Sequence, residues 1–231
     1  MQIITIAPRF CGPPDSGNGG YVSGMLAGQS DVPVRVRLRQ PPPLNVPLIV
    51  HRLEGGRLEL ERDGEVIAEA EPHDYQLDVP AAPSYVEALN ASRHYSGFKQ
   101  HSFPTCFVCG PQRARGDGLR IFAGPWGDSG MVTAPWMPDE SLCSADGKVC
   151  FEFIWAALDC PGFFAARNDG RTMMLGQIAA RIDRRVHASE SCVVVGWKLG
   201  REGRKHTVGT ALYDDDGEPC ARAIATWIEL R

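Results

Sequence analysis

The 231-residue chain carries 24 basic and 28 acidic side chains, a formal net charge of −4, with 43% hydrophobic and 23% charged residues. Such a balance reads as an ordinary soluble globular protein with ample material for a core, arranged as one large domain or two modest ones. It lacks the basic excess that neutralises phosphates, which excludes nucleic acid as the main partner, and no apolar run approaches the length of a membrane span.

The opening MQIITIAPRF has too short an apolar stretch for a secretory signal, so a cytoplasmic protein is expected. Eight cysteines spread through a chain of this length then read as reduced thiols rather than a disulfide framework. In that compartment the sequon Asn90-Ala91-Ser92 carries no meaning. Arginine predominates among the basic residues, which hints at a GC-rich bacterial source.

Residues 2–6 alternate weakly and predict a short strand. A Gly/Pro-rich loop over 8–20 follows, in which Asp15, Ser16 and Asn18 are all N-cap types for a helix over 19–28. Alternation predicts strands over 34–39, 46–53, 57–61 and 66–71, the last two joined by a tight Asp63-Gly64 turn. Residues 72–83 read as a linker and 85–95 as a short helix over a junction. A second series begins with strands over 119–122 and 131–134. It continues with strands over 174–186, 192–199, 206–213 and 220–230, the last hairpin turning at Asp216-Gly217.

Between these lies the most apolar run of the chain, 148–166, KVCFEFIWAALDCPGFFAA. As a helix it is greasy nearly all round and predicts a core helix wrapped by other structure. It nevertheless carries two acids, Glu152 and Asp159, on one face about 10 Å apart, too far to share a proton. Pro161 cannot donate to the carbonyl four residues back, so the helix is expected to kink or end just after Asp159. A carboxylate beside such a break is desolvated, which raises its pKa.

The two series match in order: a short strand region, one apolar helix, then a meander whose last turn reads Asp63-Gly64-Glu65 in one and Asp216-Gly217-Glu218 in the other. A curved antiparallel sheet clasping one central helix is the hotdog arrangement, and two in tandem make an α+β double hotdog. The expected units are 1–82 and 103–231, with 83–102 as linker helix and connection.

The segment 103–122, FPTCFVCGPQRARGDGLRIF, resembles an opening seen in hotdog thioesterases of the phenylacetyl-CoA type, where Cys-Phe-x-Cys-Gly leads into Gly-Leu and a first strand. In that family a His- or Asn-Gly-Gly opens the central helix and an acid follows two to three turns later. The first half has Asn18-Gly19-Gly20 but Ala27 nine residues on; the second has Asp159 but Cys150 nine residues earlier, followed by Phe151 and Glu152. The tandem plan is also similar to the thioesterase II group and to two-hotdog hydratases, whose Asp-x-Asn-Pro-x-His signature is absent.

The resemblance implies one composite site between the halves, its mirror image having lost its parts. A thioester carbonyl would rest on the N–H groups of Gly19 and Gly20 at the positive end of the helix. Asn18 would orient the acyl group or water, and Asp159 would act as general base or as nucleophile, with Glu152 the alternative acid. The implied substrate is an acyl-CoA or acyl-carrier-protein thioester, with no cofactor beyond the substrate's own CoA and possible homodimers through open sheet edges. A non-catalytic acyl-binding protein is the competing reading.

Other features carry less. Cys106-x-x-Cys109 lacks the second pair of a structural zinc site and the helix start of a redox pair, so packed, reduced cysteines and no metal are expected. His101, Cys143 and Cys150 complete such a site only by chance of folding. Gly127-Asp128-Ser129-Gly130 is a hairpin turn, and Val22 spoils a dinucleotide fingerprint at Gly17. Arg113, Arg115 and Arg120 read as an exposed cluster, with CoA phosphates the alternative partner. Gly19-Gly20 also has a plain reading, close packing of helix on sheet.

Overall fold

The computed structural model describes residues 2–166 and 171–230. In chain order it contains β1 (Gln2–Thr5), α1 (Gly19–Ala27), β2 (Val34–Leu38), β3 (Pro47–Arg52), β4 (Leu58–Arg62), β5 (Glu65–Pro72) and α2 (Tyr85–Ser92). There follow β6 (Gly124–Pro125), β7 (Val132–Trp136), α3 (Phe151–Ala157), α4 (Cys160–Ala166), β8 (Met173–Ile182), β9 (Cys192–Glu202), β10 (Lys205–Tyr213) and β11 (Pro219–Glu229).

The strands form a single eleven-stranded sheet, β1-β3-β4-β5-β2-β8-β11-β10-β9-β7-β6. The same connectivity occurs twice: strand, helix, then four strands that pair in the same spatial order on either side of the β2–β8 contact. There Arg35, Val36 and Arg37 lie opposite Ala179, Ile178 and Gln177 in an antiparallel pairing. Alternation sets which face is covered: Val34 and Val36 of β2 and Leu58 and Leu60 of β4 are buried, while the arginines and glutamates between them are partly exposed. The buried faces and the apolar helices share one continuous core, with Val22 and Leu26 from α1 and Ile154 from α3.

Helix α1 lies directly on α3. A Cβ on Gly20 would stand 2.5 Å from the Asp159 Cβ and 2.8 Å from the Trp155 carbonyl oxygen. A Cβ on Gly24 would stand 2.7 Å from the Glu152 Cα. These two glycines, one turn apart, let the helices approach backbone to backbone. The close packing expected at Gly20 is therefore helix on helix; at Gly19 it is helix on sheet, with Leu175 and Leu38 beneath.

Three expectations need correction. Residues 119–122 are not a strand: Leu119 and Ile121 donate their N–H groups to the Phe107 and Val108 carbonyls, and Arg120 turns the chain with a φ of 55°. That run is laid along the cysteine loop instead. The linker helix ends at Ser92 and does not straddle the junction; its Ala88 packs on Val193, Val195, Ala211 and Tyr213 of the second half. The break expected beside Asp159 is present: the run 148–166 is two helices, with Leu158 and Asp159 between them and Pro161 at the second position of α4, where its missing N–H costs nothing. Finally, the two terminal hairpins differ. Asp63 and Gly64, with φ of 52° and 84°, form a two-residue turn, whereas the second turn spans 214–218 and closes Tyr213 on Pro219. No helix among the described residues is long and apolar enough to cross a membrane.

Candidate active site

Asn18 is the N-cap of α1: its Oδ1 accepts the Tyr21 N–H at 2.9 Å. That orients its amide outward, and Nδ2 donates to Asp159 Oδ2 at 2.9 Å. The Gly20 N–H donates to the same oxygen at 3.0 Å. Asp159 reaches them from the break between α3 and α4. The break is pinned by Thr210, whose hydroxyl donates to the Leu158 carbonyl at 2.8 Å, and by the Gly162 N–H on the Asp159 carbonyl at 3.0 Å. The aspartate is 1% exposed, and its second oxygen, Oδ1, is buried with no partner among the described residues. Burial pushes the Asp159 carboxyl up to about 7 against the pull of the Gly20 N–H; Cys106 adds to the rise and the Asn18 amide opposes it.

These groups stand at the wall of a cavity of about 320 Å³. Asn18, Gly19 and Asp159 line it together with apolar side chains from both halves, among them Leu38, Phe163, Phe164, Leu175 and Trp227. Leu175 and Trp227 face each other across the β8–β11 pairing.

Three sulfurs complete the wall. Cys106, Cys109 and Cys160 are buried and their Sγ atoms lie within 4.8 Å of one another, Cys106 and Cys160 at 3.8 Å. Asn18 Nδ2 lies 3.9 Å from Cys106 Sγ. The Cys109 and Cys160 thiols point at the Cys106 sulfur and, with the N–H groups of Cys109 and Val108, hold it well below the ordinary thiol range despite burial. Burial pushes the Cys109 and Cys160 thiols up.

The residues singled out in the sequence are thus partly assembled and partly not. Asn18, Gly20 and Asp159 converge across 141 positions of chain. The Gly20 N–H, expected to meet a ligand carbonyl, is given to Asp159, which leaves the Gly19 amide at the cavity wall. Glu152 does not line the cavity and has its backbone against Gly24. Arg113 is held by the Thr105 carbonyl at 2.7 Å and by Asp117, and Arg120 by the Arg113 carbonyl. Neither they nor Arg115 lines the cavity. Sequence reasoning missed Cys160, although it follows Asp159 directly, and missed Thr210, for which alternation within β10 gives no distinguishing signal.

No family model matches the sequence, and no curated protein does. Solved structures do match nearly end to end. The tesB protein of Mycobacterium avium subs paratuberculosis aligns over 99% of this chain and 92% of its own, at 16% identity and a TM-score of 0.65. A protein assigned as a thioesterase in Novosphingobium aromaticivorans aligns over 99% and 95%, at 14% identity and a TM-score of 0.64. One assigned as a thioesterase II in Thermobifida fusca aligns over 99% and 92%, at 15% identity and 0.60. A thioesterase superfamily protein of 21% identity is covered over only 59% of its length, with a TM-score of 0.48. The fold of this chain is that of the hotdog thioesterases.

Proposed function

We propose that this chain, built on the thioesterase fold, hydrolyses an acyl thioester at one composite site between two hotdog units, 1–82 and 103–231. The observation that carries this reading is the free Oδ1 of Asp159, buried at the wall of an apolar cavity that also receives the start of α1. The cavity is at the small end of ligand-site volumes, roughly 300–1,000 Å³, and suits an acyl group rather than a whole CoA thioester.

With the acyl chain among Phe163, Phe164 and Leu175, the thioester carbonyl oxygen meets the Gly19 N–H at the positive end of α1. Asp159 then takes a proton from a water that attacks the carbonyl carbon, or attacks it directly to give an anhydride that water opens; either way the thiol leaves. Asn18 and the Gly20 N–H hold one oxygen of Asp159 so that the other is presented. The carrier of the acyl group is CoA or an acyl-carrier protein, and the chain needs no cofactor of its own for these steps.

The same two hydrogen bonds favour a second reading, an acyl-binding protein in which the acid is structural. Thiol release from short, medium and aromatic acyl-CoAs separates the two. Release by the native chain, and its loss in Asp159→Asn with the melting temperature kept within a few degrees, is the expected result. Unaltered release in that variant, or none from the native chain despite acyl-CoA binding, overturns the hydrolytic reading.

A further inference from the structure

Three cysteines on the cavity wall come together from two separate stretches of the chain. Cys106 and Cys109 sit on a loop whose backbone is fastened at several points. The Cys106 N–H donates to the Phe103 carbonyl and the Gly110 N–H to the Cys106 carbonyl, both at 2.9 Å. The Phe107 and Val108 carbonyls accept from Leu119 and Ile121. Gly110 permits the tight turn, since a Cβ there would stand 2.5 Å from the Cys106 carbonyl oxygen.

Cys160, first residue of α4, brings the third sulfur from the other side, and α4 is held where it is by Pro161 and by Gly162 packed on Val208. Sulfurs bound 2.3 Å from one zinc ion lie ~3.8–4.0 Å apart. Cys106 and Cys160 already stand at 3.8 Å, and Cys109 lies within 4.8 Å of both. Among the described residues no further His, Cys, Asp or Glu joins the group within that distance. All three cysteines line the cavity.

We propose that Cys106, Cys109 and Cys160 bind one zinc(II) ion as a three-thiolate site whose fourth position opens into the cavity. Three sulfur ligands without oxygen or nitrogen select a thiophilic ion, which leaves zinc(II) and copper(I). Charge decides between them. Three thiolates leave an excess of one negative charge on zinc(II) and two on copper(I), in a buried setting that the Asn18 amide reaches at 3.9 Å. The three thiols give up their protons to solvent as the ion enters. An ion with an open position is the coordination class that accepts a water or ligand oxygen from a cavity. This proposal does not depend on thioester hydrolysis, since metal content and spectra read it directly.

The test uses the full chain, prepared under reducing conditions without metal-affinity steps and dialysed against zinc(II) or copper(I). Elemental analysis is expected to give one zinc per chain. Replacement by cobalt(II) is expected to give intense sulfur-to-metal charge-transfer absorption in the near ultraviolet. Cys160→Ser and Cys109→Ser each reduce retained zinc to under about a tenth, whereas Cys143→Ser, outside the cluster, retains it fully. Cobalt(II) titration of the native chain does not depend on whether a variant folds. Absence of charge-transfer absorption, copper(I) retained in preference to zinc, full zinc retention in both cluster variants, or a Cys106–Cys160 disulfide in the freshly reduced and re-exposed chain each overturns the proposal.

Discussion

Helix α1 and the α3–α4 pair occupy the same step of the two matching connectivities, yet they are built oppositely. Helix α1 opens with a side-chain cap from Asn18 and carries glycine at 19, 20 and 24. Helix α3 opens at Cys150 with no side-chain cap, keeps bulk at Phe153, Ile154 and Trp155, and stops at a buried aspartate. The difference follows from the contact between them. Two helices meet backbone to backbone when one of them gives up its side chains at the crossing, and here α1 does so at Gly20 and Gly24. A carboxylate on α1 at the crossing would fill the space that glycine leaves. Just past the end of α3, across from that space, the carboxylate of Asp159 comes within 3.0 Å of an α1 amide. Unequal helices thus bring an acid and a helix start together, which equal ones would hold apart.

The largest expected effect belongs to the acid. On the proposed function, Asp159→Asn lowers thiol release by about 10²–10⁴-fold while the fold persists. Next comes the crossing itself. Gly20→Ala drives a methyl group into Asp159 and the Trp155 carbonyl, and overpacking of this kind costs about 2–3 kcal/mol, read as a lower urea midpoint with unchanged slope. Gly24→Ala meets Glu152 and Trp155 instead and destabilises comparably. It leaves the Asp159 contacts alone, so its folded fraction retains thiol release while that of Gly20→Ala does not. Equal losses in both variants would make the crossing a matter of stability only.

Much of this arrangement was legible in the sequence because it is periodic or punctuated. Alternation gave β2 to β5 and β8 to β11 to within a few residues, Pro161 marked the helix break, and Asn18 announced the start of α1. That Asn18 and Asp159 share one site was expected from the family resemblance, not from any period; the hydrogen bond between them was not. What escaped depends on distant partners. The run 119–122 alternates like a strand, but its N–H groups are taken by the loop of Cys106 and Cys109. Cys160 reads as one apolar residue among many until the fold carries it to two other sulfurs. The Gly20 amide was assigned to a ligand because the sequence does not say how near Asp159 comes.

The terminal hairpins extend the comparison. In the first half the Gly64 N–H is capped at 2.8 Å by Glu61, an exposed contact. In the second, buried Asp214 accepts from Asp216 at 3.0 Å, Glu218 at 2.8 Å and Arg184 at 2.5 Å. Burial alone would raise the Asp214 carboxyl, but the Glu218 N–H, Arg184 and the Asp216 N–H hold it below the usual carboxylate range. A depressed folded pKa contributes stability above the unfolded value, near 3.9, and loses it as pH falls through the folded one. Asp214→Ala is therefore expected to cost about 1–2 kcal/mol at pH 7. Thermal melts from pH 7 down to pH 3 should show the gap to the native chain narrowing only below about pH 4. Glu61→Ala, at the exposed turn, costs a few tenths of a kcal/mol at most, or roughly within ±0.5.

The smallest effect is expected at Glu152, and it bears directly on how the two acids divide. Glu152 sits in the first turn of α3, partly exposed, with its backbone against Gly24 and its side chain outside the cavity lining. There it interacts favourably with the positive end of its own helix, a contribution of about 0.3–1 kcal/mol. Glu152→Gln should therefore lower the urea midpoint slightly and leave kcat and KM within about twofold. The two acids stand seven residues apart in sequence, and only the one at the helix break reaches the amides of α1. If Glu152→Gln abolished thiol release while Asp159→Asn spared it, the reacting carboxylate would belong to the α3 start, and the convergence of Asn18, Gly20 and Asp159 would be a clasp between helices with no part in the chemistry.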